Sequence, residues 1–122
     1  MSLRNAFPCP TEAALGVIGG KWKIIILCRL HNDVSRFNEL KRQIPGVSQR
    51  MLTQHLRELE RDGIVCRLAY PDGLPRVEYT LTEFGRTLTP VLDTLYNWGK
   101  QYQKRLPTRA IAGKPVKTLQ AA

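Results

Sequence analysis

Gly46-Val47-Ser48-Gln49-Arg50-Met51-Leu52-Thr53-Gln54-His55-Leu56-Arg57-Glu58-Leu59-Glu60-Arg61-Asp62-Gly63 reads as one helix with a start, a stop and two unlike faces. Ser48 is a suitable N-cap, because its hydroxyl can accept a free backbone N–H of the first turn. Gly63 suits the left-handed position that ends a helix. At about 100° per residue, Leu52, Leu56 and Leu59 share one narrow stripe. Arg50, Gln54, Arg57 and Arg61 share the opposite side. The helix therefore offers an apolar face to a core and a basic, amide-bearing face to solvent. Arginine and glutamine are the side chains suited to reading base edges in a DNA major groove.

The residues that follow give this helix a context. Ile64 to Tyr70 and Arg76 to Leu81 are rich in β-branched and aromatic residues, and Asp72-Gly73 between them signals a turn. The pair reads as a β-hairpin with Arg76 at its tip. Two helices followed by a hairpin is the order of a winged helix-turn-helix. The expected fold class is α+β, mainly α, with the hairpin as a wing.

Size and charge agree with that reading. A chain of 122 residues has room for one small domain. It carries 19 Lys and Arg against 10 Asp and Glu, a formal charge of +9. Such a balance suits a polyanion, either nucleic acid or an acidic membrane surface. The longest apolar run, Ile24 to Cys28, is far too short to span a bilayer. The N-terminus lacks the apolar core of a signal peptide, so a cytoplasmic location is expected. Cys9, Cys28 and Cys66 form a sparse, odd set and no disulfide framework.

Upstream, Met1 to Pro10 reads as an extended arm. Thr11 can cap a short helix through about Ile18, and Gly19-Gly20 break it. A second helix, Lys21 to about His31, is apolar around most of its circumference and belongs at the centre of a core. Ser35 can cap a third helix that buries Phe37, Leu40 and Ile44. Pro45-Gly46 then turns the chain into the helix quoted first. Downstream, Thr82 can cap a long helix from Glu83 to about Leu106, with Leu88, Val91, Leu92, Leu95, Trp98 and Tyr102 as its apolar stripe. Pro90 inside that span predicts a bend or break. The stripe is wider than a small core needs, which predicts a dimer. The expected domain is 8–106, followed by a flexible basic tail over 107–122.

With these pieces in place the chain resembles the HxlR-type family of bacterial winged-helix transcriptional regulators. The resemblance rests on Cys9-Pro10, Ile18-Gly19-Gly20-Lys21-Trp22, Arg36-Phe37-Asn38-Glu39-Leu40, Ser48 with Leu52 and Leu56, and Leu59-Glu60-Arg61-Asp62-Gly63. Val77-Glu78-Tyr79, Leu81-Thr82, Pro90-Val91-Leu92 and Trp98-Gly99 continue it. It implies a dimeric DNA-binding regulator whose N- and C-terminal helices form the dimer. Some relatives use the cysteine corresponding to Cys9 to sense oxidants or electrophiles. The basic tail lies outside the shared pattern.

The expected partner is therefore double-stranded DNA, bound by a homodimer at a pseudo-palindromic operator, with repression the expected mode. Lys21, Arg36 and Arg76 are the candidates for phosphate contacts. Ser48, Gln49, Arg50, Thr53, Gln54 and Arg57 would face the groove, with Arg50 suited to guanine and Gln54 to adenine. Cys9, at the entrance to the first helix, is the candidate redox or electrophile sensor, because a helix N-terminus favours thiolate. Cys28 reads as a buried small hydrophobe and Cys66 as ambiguous. Glu58, Glu60 and Asp62 look like intrahelical partners of the arginines around them. His31 and His55 sit on different helices without metal-ligand spacing, and no metal, cofactor or catalytic constellation is indicated. Gly16 to Lys21 fails as a phosphate loop, since Trp22 replaces the required Ser or Thr. Two other readings remain: a winged-helix protein-interaction module, which needs no basic recognition face, and a nonspecific DNA-coating protein.

Overall fold

The computed structural model describes residues 9–32 and 35–106. The arm before Cys9 and the tail from Pro107 onward lie outside them. The elements run α1 (Pro10–Ile18), α2 (Lys21–Asn32), β1 (Ser35–Arg36), α3 (Phe37–Gln43), α4 (Gln49–Arg61), β2 (Val65–Tyr70), β3 (Arg76–Leu81), a 3-10 turn (Gly85–Leu88) and α5 (Thr89–Gln103). The chain divides into two compact units, Met1–Thr89 and Pro90–Ala122.

In the first unit, α2 packs against α3, α4 and β3. Ile26, Leu27 and Leu30 of α2 meet the same core as Leu40, Ile44, Leu52, Leu56 and Leu59, all of them buried. The apolar stripe of α4 is thus the inner face of the helix-turn-helix, as its spacing requires. Burial of side chains of this size contributes about 1.5–3 kcal/mol each, so this stripe holds α4 in place.

Both ends of α4 are closed as the sequence predicts. Met51 N–H donates to Ser48 Oγ at 3.1 Å. At the other end Gly63 has φ +78°, a conformation that side-chain-bearing residues rarely adopt. Its N–H reaches Glu60 O at 3.0 Å and Ile64 N–H reaches Leu59 O at 2.9 Å. These paired bonds satisfy carbonyls that the helix end would otherwise leave open, and they fix the exit of the chain toward β2.

The wing is an antiparallel hairpin, β2 with β3, in which Tyr70 pairs with Arg76 and Val65 with Leu81. The sheet holds a further strand, β1, that no local pattern in the sequence predicts. Ser35, expected to cap the third helix, is instead the first residue of β1, which pairs with β3 through Ser35–Tyr79 and Arg36–Glu78. Two residues are too few to show strand alternation, and their partners lie far along the chain. The first turn of α3 is closed by Glu39, whose Oε1 accepts from Arg36 N–H at 2.9 Å.

Two other expectations are corrected. Thr11 does not cap α1. Cys9 holds the N-cap position, with Pro10 in the first turn, where a missing N–H costs nothing. Nor does one helix run from Glu83. Thr82 Oγ1 accepts from Gly85 N–H at 2.8 Å, but only a 3-10 turn follows, with Phe84 at its N-cap position. A Cβ on Gly85 would collide with the Ile64 carbonyl, so the chain passes there at glycine-only distance. The regular helix begins afresh at Thr89 and places Pro90 in its first turn, which is the break predicted near that residue.

In the second unit, Leu92 is buried. Val91, Leu95, Tyr96, Trp98 and Tyr102 are exposed, with Trp98 at 61%. Trp98 and Tyr102 stack with centroids 5.5 Å apart, and Lys100 Nζ lies 5.5 Å from the Tyr96 ring centre. None of the helices among the described residues is long and apolar enough to cross a membrane.

Candidate nucleic-acid interface

Because Leu52, Leu56 and Leu59 are drawn inward, the other side of α4 must face out. Gln49, Arg50, Gln54, Arg57 and Arg61 are exposed, and Thr53 is half-buried. Gln49, Arg50, Thr53, Gln54, Arg57, Glu58 and Arg61 line one open surface along the helix. Among the described residues Arg50, Arg57 and Arg61 have no ion pair, so their guanidinium donors remain available. Guanidinium groups suit bidentate contact with guanine or phosphate.

A second cleft lies between α4 and the wing, with a volume of about 500 Å³. Gln49, Thr53 and Arg57 form one wall. Arg67, Val77 and Tyr79 of the sheet form the other, with Phe37 and Glu60 beside them. Arg67 is exposed and pairs across the hairpin with Tyr79. Neither the periodicity of α4 nor the hairpin turn marks Arg67 as a site residue. Counting strand register back from the Asp72-Gly73 turn puts it opposite Tyr79, yet only tertiary packing brings it to the cleft that Arg57 also lines.

The expected phosphate contacts are more dispersed. Lys21 is exposed at the start of α2, with its Nζ 4.7 Å from the Trp22 ring centre. Arg36 is exposed and ends β1. Arg76 stands at the base of the hairpin loop rather than at its tip. Its Nε is 3.2 Å from Glu78 Oε2 and its guanidinium lies 4.4 Å from the Tyr70 ring centre. A carboxylate at that distance offsets part of the positive charge that Arg76 can offer a phosphate. None of Lys21, Arg36 and Arg76 lines either surface of α4.

Glu58 departs from the intrahelical role expected of it. Its carboxylate is 2.7 Å from Lys23 Nζ, which reaches across from α2. The Lys23 hydrogen bond holds the Glu58 carboxyl below the usual carboxylate range; partial desolvation opposes this, and Gln54 adds to it. Gln54 Nε2 lies 3.4 Å from Glu58 Oε2. His55 Nδ1 is 3.8 Å from Glu58 Oε1 and has no hydrogen-bond partner.

Cys9 is exposed at the mouth of α1. Its sulfur lacks a regular cap hydrogen bond, but the Glu12 and Thr11 amides and the Thr11 hydroxyl pull its pKa below that of an ordinary thiol. Burial pushes the half-buried Cys28 thiol up instead. The two cysteines therefore differ in thiolate content at neutral pH, and the exposed one has more.

The chain is similar in sequence and fold to known proteins. The chain is 50% identical over 106 residues to an uncharacterized HTH-type transcriptional regulator, YdeP of Bacillus subtilis, covering 87% of this chain and 83% of that one. The oxidized form of the redox regulator HypR matches with a TM-score of 0.73 at 53% identity, over 76% of this chain and 96% of that one. The reduced form of the transcriptional regulator YodB from B. subtilis matches with a TM-score of 0.69 at 37% identity, over 79% of this chain and 95% of that one. Residues 17–107 match the HxlR-like helix-turn-helix profile, and the chain belongs to that family.

Proposed function

We propose that the protein is a cytoplasmic, sequence-specific DNA-binding regulator that acts as a homodimer on a pseudo-palindromic operator and represses transcription there. The observation that carries this reading is the outer face of α4. Three arginines and two glutamines are exposed on a helix whose ends and inner face are fixed. Ser48, Gln49, Arg50, Thr53, Gln54 and Arg57 form the groove face, with Arg50 reading guanine. Lys21, Arg36 and Arg76 supply phosphate contacts. The regulator roles of YdeP, HypR and YodB support the assignment.

Dimerisation is supported by the exposed Val91, Leu95, Trp98 and Tyr102 of α5. A small dimer bound over a promoter can repress by blocking polymerase. Control by an oxidant or electrophile at Cys9 is supported by its exposure and favoured thiolate, and by the similarity to a redox regulator. Selection of bound fragments from random and genomic DNA at moderate salt tests the core of the proposal. The expected result is a two-fold symmetric site held more tightly than random DNA by the factor of ~10³ or more typical of specific binders. Uniform retention of all sequences would identify a nonspecific coating protein, and no retention would favour a protein-interaction module.

A further inference from the structure

Glu60 lies at the cleft toward the wing; of the residues lining the open surface along α4, Glu58 is the one carboxylate among the arginines. Facing a polyanion, an uncompensated carboxylate there would repel it. Lys23 removes that difficulty, since its Nζ is 2.7 Å from Glu58 Oε1 and its own side chain is only 12% exposed. The lysine side chain is thus largely covered, and its charge reaches Glu58 from α2. The other carboxylate oxygen, Oε2, receives Gln54 Nε2 at 3.4 Å. Only the nitrogen end of an amide can face a carboxylate, because the oxygen end would oppose acceptor to acceptor.

We propose that Lys23 and Glu58 are positioning residues that fix the amide of Gln54 and so set which base it reads. The inference rests on α4 being the reading helix. A free glutamine amide offers two N–H donors and one acceptor. It can match adenine, which presents the N7 acceptor and the N6 donor, or donate to the N7 and O6 acceptors of guanine. Once one N–H is given to Glu58, one donor and the carbonyl acceptor remain. That remainder complements adenine and leaves guanine with one acceptor unmet. Lys23 is needed because it holds the carboxylate in place.

Sites selected from random DNA by the wild-type protein, Gln54→Ala, Glu58→Ala, Glu58→Gln and Lys23→Met test this, read base pair by base pair. The wild type is expected to prefer adenine over guanine at one pair, and Gln54→Ala to erase that preference. Glu58→Ala and Lys23→Met should reduce it about five- to tenfold, within the range a bidentate contact supplies, with other positions unchanged. Glu58→Gln, which keeps an acceptor for Gln54, should retain more of it than Glu58→Ala. Lys23→Met keeps the buried stem, so its result stands even if Glu58→Ala does not fold. An unchanged preference in Lys23→Met and in folded Glu58→Ala overturns the proposal. So does an equal loss at every position, which would make the ion pair only a brace between helices. A cytosine preference at that pair that survives Gln54→Ala and is lost in Glu58→Ala would make Glu58 the reader and overturn it too. A wild-type protein that enriches no sequence would defeat the DNA-reading assignment itself, a result distinct from these.

Discussion

Thr82 donates its hydroxyl to the Gly63 carbonyl at 2.6 Å, joining the end of the wing to the turn that closes α4. The same oxygen accepts from Gly85 N–H at 2.8 Å. One side chain thus links the exit of α4, the last strand and the 3-10 turn. Thr82→Val keeps the shape and removes both bonds. It should lower unfolding free energy by about 1–2 kcal/mol, as expected for hydrogen bonds lost at a partly solvated site. Urea unfolding followed by circular dichroism measures this, and an unchanged midpoint would show that water replaces both bonds.

Arg50→Ala and Arg76→Ala should fail in different ways. Arg50 is exposed on α4 and has no ion pair among the described residues. Its loss should cost about 1–3 kcal/mol of discrimination at one base pair. Arg76 is already held by Glu78. Its loss should weaken all sequences alike, and the salt slope should fall by less than the roughly 0.9 expected for one free phosphate contact. Binding isotherms over a salt series, on specific and random duplexes, separate the two. Equal losses on both DNAs for both variants would reverse the assignment of reader and clamp.

Trp98, 61% exposed on α5, is the natural place to break the proposed dimer. Trp98→Asp should convert a sedimenting dimer to monomer at micromolar concentration. Operator affinity should fall with it, since each half-site would then be bound alone. A wild-type protein that sediments as a monomer would remove both the dimer and the palindrome.

Cys9 and Cys28 should alkylate at different pH. The Cys9 pKa is lowered by the amides at the start of α1, so its thiolate forms at lower pH than that of an ordinary thiol. Burial raises Cys28, so its reaction should begin at higher pH. Mass spectrometry after iodoacetamide pulses across a pH series reads both midpoints. Diamide should change operator affinity in wild type and leave Cys9→Ser unaffected. The mechanism would be a shift of the reading helices from the spacing of roughly 34–36 Å that successive grooves demand. An equal response in Cys9→Ser would make Cys9 a bystander.

Local chemistry wrote much of this protein directly into its sequence. The limits and inner face of α4 follow from Ser48, Gly63 and the leucine spacing, because capping and periodicity act within a few residues. The hairpin follows from Asp72-Gly73 and its flanks, and the break at Pro90 from the missing N–H. Together with the Gly-Gly-Lys-Trp and Arg-Phe-Asn-Glu-Leu blocks, these were enough for the family. Tertiary structure decided the rest. β1 exists only because Ser35 and Arg36 meet Tyr79 and Glu78 across the sheet. Arg67 shares a cleft with Arg57 only because the sheet packs against α4. Helix spacing pairs Glu58 with the arginines of its own helix, yet its ion-pair partner is Lys23 on another. Charges carry no periodicity that names their partners, so packing alone selects which pairs come within reach.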